Sequence, residues 1–245
     1  MTGSVWRVLN AFDAAGIRYC VLRDGEVVDV QIAPGETDLL IASEDFRKAA
    51  VMLAEGGFRR VVRWGYAPHH FFVGYDQEAR GTVKLDVVTD IRYGRPVANL
   101  FTELAANCLN RRQKLNRVYV PSPEDELVTL LLHCILDKGR FAPERWSRLK
   151  TLRREVRDVA YVEALVRRYW PAGVTWDDVA RRLDEDDGEA LLAMQPALTR
   201  HLRQQSGWRS TAIARSNRAL RWLNRLADRL QLTGNQSVMQ VARRG

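Results

Sequence analysis

The sequence has few cysteines, no long apolar run and no low-complexity segment. Its three cysteines, Cys20, Cys108 and Cys134, are odd in number and far apart in apolar surroundings, which indicates buried thiols rather than disulfides or metal ligands. No stretch approaches the roughly 18 consecutive apolar residues of a membrane-spanning helix. The N-terminus MTGSVWRVLN has neither the basic nor the apolar segment of a signal peptide. These absences predict a cytoplasmic protein in a reducing compartment.

Acidic residues are scarce at the C-terminal end, although the chain of 245 residues carries a net charge of only +8. From Arg200 to Gly245 there are ten arginines and a single acid, Asp228. In the segment SNRALRWLNRLADRLQL, helical spacing forms a leucine-rich stripe and an arginine face, made of Leu220, Leu223, Ala227 and Leu230 and of Arg218, Arg221, Arg225 and Arg229. We expect this basic amphipathic helix to dock on its own domain with the arginines in solvent. An acidic protein, an anionic membrane surface and nucleic acid stay open as partners.

Hydrophobic periodicity in the first 90 residues predicts helices that flank a sheet. A first helix is indicated by Val5, Val8, Leu9 and Phe12 and ends before Gly16. A second helix, with the apolar stripe Phe46, Ala49, Ala50 and Leu53, is expected to begin at a Ser43 cap with Glu44 and Asp45 in its first turn and to end at Gly56-Gly57. The predicted strands are IRYCVL, TDLLIA, FRRVVRW, HHFFVGYD and TVKLDVVT.

From Pro121 the pattern becomes helical. The segment PSPEDELVTLLLHCILDKG offers Ser122 as an N-cap, Pro123 at the first helical position, acids in the first turn and Gly139 as a stop. We therefore predict a domain boundary near residue 120, between a sheet domain at 1–120 and a helical domain at 121–245 that ends in the basic amphipathic helix.

Three carboxylates stand in or beside apolar runs. In PGETDLLIA, Glu36 and Asp38 are two residues apart, so in a strand they project from one face about 6.6 Å apart. Asp86 lies within VKLDVVT, a second apolar run expected in the same sheet. Three converging carboxylates repel one another unless a divalent cation neutralises them. A pair of Mg²⁺ ions roughly 4 Å apart, which clamps the oxygens of a phosphoryl displacement, is the common solution.

These segments resemble the nucleotidyltransferase fold. Its pattern is a strand and turn, a strand with [DE]-x-[DE], a helix, and a later strand with a third acid, and YCVLRDG, GETDLLIA and KLDVVT occur in that order. The sequence resembles small uncharacterised bacterial nucleotidyltransferase-like proteins over residues 1 to about 140. The resemblance implies an α+β fold, with a nucleotidyltransferase-like mixed sheet and flanking helices before an all-helical C-terminal domain.

The resemblance implies that Glu36, Asp38 and Asp86 bind Mg²⁺, and that Asp86 is also the base for an incoming hydroxyl. The protein would transfer a nucleoside monophosphate from an NTP to a hydroxyl of a small molecule, glycan or protein. The family's Gly-Ser after the first strand is replaced here by Arg23-Asp24-Gly25. Arg23 and Gly25 are candidates to contact the triphosphate in its place. A catalytically inactive domain that binds a nucleotide or sugar-nucleotide, and a nucleic-acid binding module, are the alternatives.

The candidate residues also have structural interpretations. Glu36 can be a loop residue, Asp38 an acid on an edge strand, and Asp86 a partner of Lys84 on its own strand. His69 and His70 can be a strand-end pair with one ring packed and one solvated, and His133 a core histidine, or all three can contact substrate. Further candidates for contacting the nucleotide phosphates are Lys84, Lys138 and Arg140.

The last residues, VMQVARRG, resemble the linker by which related domains run into a kinase of the thymidylate-kinase type. No GxxxxGK[ST] phosphate-binding loop occurs in the chain. We therefore expect any such kinase partner to be a separate chain.

Overall fold

The computed structural model describes residues 3–22, 36–61, 68–78, 80–95 and 97–229. The chain divides into two compact units. The described residues up to Asp90, with 112–120 and 215–229, form the sheet unit, and residues 91–111 and 121–214 form the helical unit. The single boundary near residue 120 stays a prediction.

The sheet unit combines strands with helices, and helices dominate the helical unit. In chain order the elements are α1 (Ser4–Ala14), β1 (Tyr19–Leu22), β2 (Glu36–Ile41), α2 (Phe46–Glu55), β3 (Arg59–Arg60), β4 (His69–Asp76), β5 (Gly81–Val88), β6 (Arg92–Tyr93), β7 (Leu100–Phe101), α3 (Leu104–Asn110), β8 (Gln113–Leu115), β9 (Val118–Val120), α4 (Pro123–Leu132), a π-helical segment (His133–Lys138), α5 (Pro143–Glu155), α6 (Val159–Tyr169), α7 (Trp176–Asp184), α8 (Gly188–Ala193) and α9 (Gln195–Arg229). The α+β class expected from the sequence is confirmed.

Five strands form a mixed sheet in the order β1-β2-β5-β4-β3. The β2 and β5 strands are parallel neighbours, whereas the β1–β2, β5–β4 and β4–β3 pairs are antiparallel. Because α2 lies between β2 and β5 in the chain, it supplies part of the long crossover that a parallel pair requires. The register of this parallel pair determines which side chains share a face at the centre of the sheet.

One face of the sheet is covered by α1 and α2. Leu9 and Phe12 of α1 and Leu53 of α2 pack in one buried cluster with Leu39 of β2 and Leu85 of β5. All five side chains are at most 1 % exposed, and burial of each contributes about 1.5–3 kcal/mol. Since successive side chains of a strand alternate between faces, Asp38 and Asp86 project from the opposite face.

The start of α2 differs from the sequence prediction. The helix begins at Phe46 with Asp45 at the N-cap, and Ser43 donates a hydrogen bond to the neighbouring Glu44 instead of capping the helix. Asp45 instead accepts a hydrogen bond from the backbone N–H of Arg18 at 2.9 Å, which ties the start of α2 to the segment before β1. The preference of serine for N-cap positions was therefore misleading here. Asp45 takes the N-cap position, and its carboxylate bonds the backbone of a distant segment.

The start of α4 follows the sequence closely. Ser122 Oγ accepts a hydrogen bond from the backbone N–H of Asp125, and Pro123 takes the first helical position. The helix continues as the π-helical segment to Lys138, and Gly139 ends it with a φ of 63°. The predicted cap and stop are both confirmed.

The acids in the first turn of α4 are buried, which the sequence did not indicate. Glu124, Asp125 and Glu126 are 4 %, 0 % and 2 % exposed. Arg148 bonds Glu126 through two parallel contacts of 2.9 and 2.7 Å, and Arg111 lies 3.6 Å from both of the other carboxylates. Burial raises the pKa of Asp125. The helix N-terminus and the two guanidiniums together offset the cost of burying these charges.

The basic helix does not dock as expected. On α9, whose regular geometry is interrupted at Gly207, two leucines of the predicted docking stripe are exposed, Leu220 by 46 % and Leu223 by 50 %, and Leu230 falls outside the described residues. Trp222 is 63 % exposed, while the nearby Asn217 is buried. The prediction of a leucine stripe packed on its own domain is therefore wrong for this part of the helix. Among the described helices, none combines the length and apolar character needed to span a membrane.

Candidate active site

The central strands bring the three predicted carboxylates together. In the parallel pairing of β2 with β5, Asp38 lies opposite Asp86 and Glu36 lies opposite Lys84. Each of the three acids offers one carboxylate oxygen, and these oxygens lie within 4.8 Å of one another. Asp86 is buried, Asp38 is half-buried and Glu36 is exposed. Exposure therefore increases across the cluster from Asp86 to Glu36, which forms its solvent-facing rim.

Lys84 places a positive charge at the rim of the cluster. Its Nζ lies 3.0 Å from Glu36 Oε1 and 5.0 Å from the ring centroid of Phe71. Both contacts follow from the sheet, because Glu36 is opposite Lys84 on β2 and Phe71 is on the adjacent β4 strand. The ammonium group supplies part of the charge compensation that three neighbouring carboxylates require.

His69 contacts the buried acid of the cluster. Its Nδ1 lies 3.0 Å from Asp86 Oδ1 and 3.1 Å from Oδ2. When Nδ1 carries a proton, it donates to this carboxylate and limits the orientations that Asp86 can adopt. The contact crosses from β4 to β5 on the face that carries the carboxylates.

Two of the structural interpretations considered above are excluded by the topology. Glu36 is the first residue of β2 rather than a loop residue. Asp38 is not on an edge strand, since β2 lies between β1 and β5. Each acid is instead placed by a strand with neighbours on both sides, which holds the backbone of the cluster in a fixed register.

His70 projects from the opposite face to His69. Its ring stacks on Phe46 of α2 with centroids 4.2 Å apart, and Arg60 Nη2 lies 2.9 Å from its Nδ1. Burial, reinforced by the Arg60 charge, lowers the pKa of His70 to about 4. At neutral pH this ring is uncharged and accepts the hydrogen bond from Arg60. The packed ring is thus His70, and its role as a substrate contact stays a prediction.

The remaining candidates lie elsewhere in the chain. Arg23 and Gly25 fall outside the described residues. His133, Lys138 and Arg140 belong to the helical unit. His133 Nδ1 lies 3.1 Å from Asp137 Oδ2, Lys138 is half-buried, and Arg140 is exposed. Nucleotide or substrate binding by these five residues stays a prediction.

Sequence reasoning missed the partners of the histidines. The link from His69 to Asp86 depends on the register of β4 on β5. The link from His133 to Asp137 could have been found, because residues four apart face each other on a helix. A histidine followed by an acid at that spacing was a usable signal.

The family assignment agrees with this geometry. The model of the family described as "Uncharacterised nucleotidyltransferase" matches residues 33–204, which is more than two thirds of the chain. The chain belongs to this nucleotidyltransferase family. The matched span includes Glu36, Asp38 and Asp86 as well as most of the helical unit. The family resemblance predicted from the sequence is therefore confirmed. The sequence matches no curated protein.

Two solved structures show distant likenesses to this family member. The antibiotic-resistance factor ANT(2'')-Ia is 10% identical, with a TM-score of 0.44, over 76% of this chain and 94% of its own. The lincosamide antibiotic adenylyltransferase LnuA, solved with lincomycin bound, is 16% identical, with a TM-score of 0.38, over 62% of this chain and 96% of its own. At these TM-scores neither likeness adds an argument to the family assignment.

Proposed function

We propose that the protein transfers a nucleoside monophosphate from an NTP to a hydroxyl of a small molecule, glycan or protein, with Mg²⁺ held by Glu36, Asp38 and Asp86. The observation that carries this proposal is the convergence of three carboxylate oxygens within 4.8 Å on the central strands of a nucleotidyltransferase-family chain. Hard oxygen ligands of this kind are those that Mg²⁺ prefers.

The donor set fits a magnesium site. Mg²⁺ binds oxygen at about 2.1 Å, so ligands on opposite sides of an octahedral ion are about 4.2 Å apart. The three carboxylate oxygens lie within 4.8 Å of one another, which is close to the spacing of ligands around one such ion. When bound, a pair of such ions supplies charge stabilisation for the attacking and leaving oxygens.

The residues of the chain have distinct parts in the proposed reaction. The acceptor oxygen forms a bond to the α-phosphorus, the bond from that phosphorus to the bridging oxygen breaks, and pyrophosphate leaves with the electron pair. Asp86 is the candidate base that takes the hydroxyl proton, and His69 orients its carboxylate. Lys84, at the rim, is placed to exchange its contact with Glu36 for one with a phosphate oxygen.

Nucleotide binding is the direct test, because it does not require the acceptor to be known. Isothermal titration with ATP, GTP, CTP and UTP, each with and without MgCl₂, should show Mg²⁺-dependent binding of at least one nucleotide. Asp86→Asn should weaken that dependence, whereas Glu55→Gln, which alters an exposed acid of α2, should leave it unchanged. The absence of nucleotide binding at millimolar concentrations would remove the catalytic proposal.

A non-catalytic nucleotide-binding domain is the second candidate. It is favoured by the Lys84 ammonium group, whose Nζ lies 3.0 Å from Glu36 Oε1 and can compensate the charge of that carboxylate without a metal ion. A domain of this kind should bind nucleotide equally well in chelator. It should also release no pyrophosphate from bound NTP when water takes the place of the acceptor, while an active enzyme should release it slowly in a Mg²⁺-dependent manner.

A further inference from the structure

The helical unit contains a cleft of about 220 Å³ that the proposed transfer reaction does not use. Its walls come from three parts of this unit: the loop after β6, the end of the π-helical segment, and the first turns of α9. Cationic side chains come from all three walls, since Arg95, Lys138 and Arg203 each line the cleft. Three separate chain segments therefore contribute cationic residues to the lining of one small volume.

Asp137, the one carboxylate among the described residues that line this cleft, is already engaged. Asp137 Oδ1 accepts a hydrogen bond from the backbone N–H of Gly94 at 2.8 Å, and Asp137 Oδ2 lies 3.1 Å from His133 Nδ1. Asp137 therefore fixes the loop after β6 against the π-helical segment. Its single negative charge leaves a net positive charge among the lining side chains, which favours an anionic ligand.

The cleft wall is held in a defined shape. Gly94 has a φ of 114°, and a Cβ at this position would lie 3.0 Å from Asn99 Oδ1 and 3.1 Å from the carbonyl oxygen of Val97. Asn99, which also lines the cleft, donates a hydrogen bond from Nδ2 to Ser210 Oγ at 3.1 Å. A glycine is thus required where the loop turns, and an amide beside it is fixed by α9. The polar wall is arranged before any ligand arrives.

Size and charge restrict the ligand class. The volume of 220 Å³ is below the range of about 300–1,000 Å³ that is usual for sites of drug-sized ligands. A small anion, or the anionic group of a small metabolite, is the appropriate size. The guanidinium group of an arginine can donate two parallel hydrogen bonds to phosphate oxygens. The cations of the lining also attract a doubly charged phosphate more strongly than a monocarboxylate.

We propose that this cleft binds the phosphate group of a small phosphorylated metabolite, with Arg203 and Lys138 as its principal contacts. The inference uses no residue of the carboxylate cluster, and it assigns Lys138, which the sequence offered as a contact for nucleotide phosphates, to this cleft instead. Gln195 and Thr199, on the same side of α9 as Arg203, offer amide and hydroxyl groups to the rest of the ligand.

The test is isothermal titration of the full chain in chloride buffer with inorganic phosphate, glycerol phosphate and acetate. Phosphate and glycerol phosphate should bind the wild type, and acetate should not. Arg203→Gln should weaken phosphate binding about tenfold or more, as expected for the loss of one charge-assisted contact. Arg200→Gln is the matched control, because Arg200 is an exposed arginine of the same helix that does not line the cleft.

The remaining outcomes distinguish an organic phosphate from the free ion, and the cleft from other binding sites. Binding of glycerol phosphate well above that of inorganic phosphate would identify an organic phosphate as the ligand, and equal binding would identify the free ion. If Arg200→Gln and Arg203→Gln weaken phosphate binding equally, the effect comes from the net charge of the helix rather than from the cleft. That result would overturn the proposal. So would phosphate binding that, when MgCl₂ is added, survives Arg203→Gln but is lost in Asp38→Asn, because the phosphate would then bind through Mg²⁺ at the carboxylate cluster. A thermal melt of Arg203→Gln that matches the wild type confirms that the fold is intact.

Discussion

Replacing Asp38 by asparagine should stabilise the metal-free protein and remove its response to Mg²⁺. Two unit charges separated by the 4.8 Å limit of the cluster repel by about 0.9 kcal/mol in water and by about 3.5 kcal/mol at an effective dielectric constant of about 20. Because Glu36 is exposed and Lys84 compensates it, screening favours the lower figure, about 1 kcal/mol. For a chain of this length that corresponds to a rise in Tm of about 2–4 °C in chelator.

Mg²⁺ should stabilise the wild type more than it stabilises Asp38→Asn. At a Mg²⁺ concentration ten times its Kd, the wild type should gain about 1.4 kcal/mol of stability from binding. Asp38→Asn removes one ligand of the cluster, so its gain should fall toward zero. Thermal melts of both proteins, with chelator and with MgCl₂, measure the two effects in one experiment.

Asp76 provides the matched structural control. This acid of β4 is 5 % exposed and accepts hydrogen bonds from Ser4 N–H at 2.6 Å, Ser4 Oγ at 2.9 Å and Glu78 N–H at 3.0 Å. Asp76→Asn places an amide donor against these donors and should cost about 1.5–3 kcal/mol, with or without Mg²⁺. If Asp38→Asn in chelator loses stability as Asp76→Asn does, Asp38 is a structural acid and the metal-site reasoning is refuted.

Three further changes test other parts of the structure. Arg148→Met leaves the buried Glu126 carboxylate without its paired guanidinium, so urea denaturation should show a loss of about 3–5 kcal/mol; a loss below about 1 kcal/mol would mean that water reaches Glu126. His70 has a folded-state pKa of about 4, below its unfolded value of about 6.5, so its contribution to stability is full above pH 6.5 and is lost as the pH falls toward 4. His70→Phe should therefore flatten the decline of Tm across that window, and an unchanged slope would contradict the assignment. Trp222→Ser should change the free energy of unfolding by less than about 0.5 kcal/mol, and a loss typical of a core residue would show that this side chain is covered in solution.

The sequence predicted the elements of the carboxylate cluster because the relevant signals are local. The run of Leu39, Leu40 and Ile41 after Glu36 and Asp38 identified a buried strand, and the same logic identified the strand around Asp86. The order of these segments along the chain then matched the pattern of the family. Ser122 and Gly139 determined the ends of a helical segment through local backbone hydrogen bonding and a positive φ, which is the kind of information that a short stretch of sequence contains.

The parts that could not be predicted depend on the register between strands and on what a helix face contacts. The contact of Lys84 with Glu36 requires the register of β2 on β5, and the contact of His69 with Asp86 requires that of β4 on β5. The leucine stripe of α9 illustrates the same limit, because periodicity shows that Leu220 and Leu223 share a face but not what the face contacts. A helical pattern alone therefore predicted burial where the structure shows exposure.

The exposed tryptophans of α9 make this helix optically distinguishable from the rest of the described chain. Trp208 and Trp222 are 77 % and 63 % exposed, whereas Trp6, Trp170 and Trp176 are at most 7 % exposed. A water-soluble quencher such as iodide should reach the first two rings and leave the buried three emitting at shorter wavelength. In a variant that carries Trp64→Phe and Trp146→Phe, which removes a tryptophan outside the described residues and a half-buried one, the intrinsic fluorescence divides into a quenchable red-shifted fraction from α9 and a protected blue-shifted fraction from the cores. Any molecule that covers the helix would be detected as a loss of the quenchable fraction, without a dye or a tag.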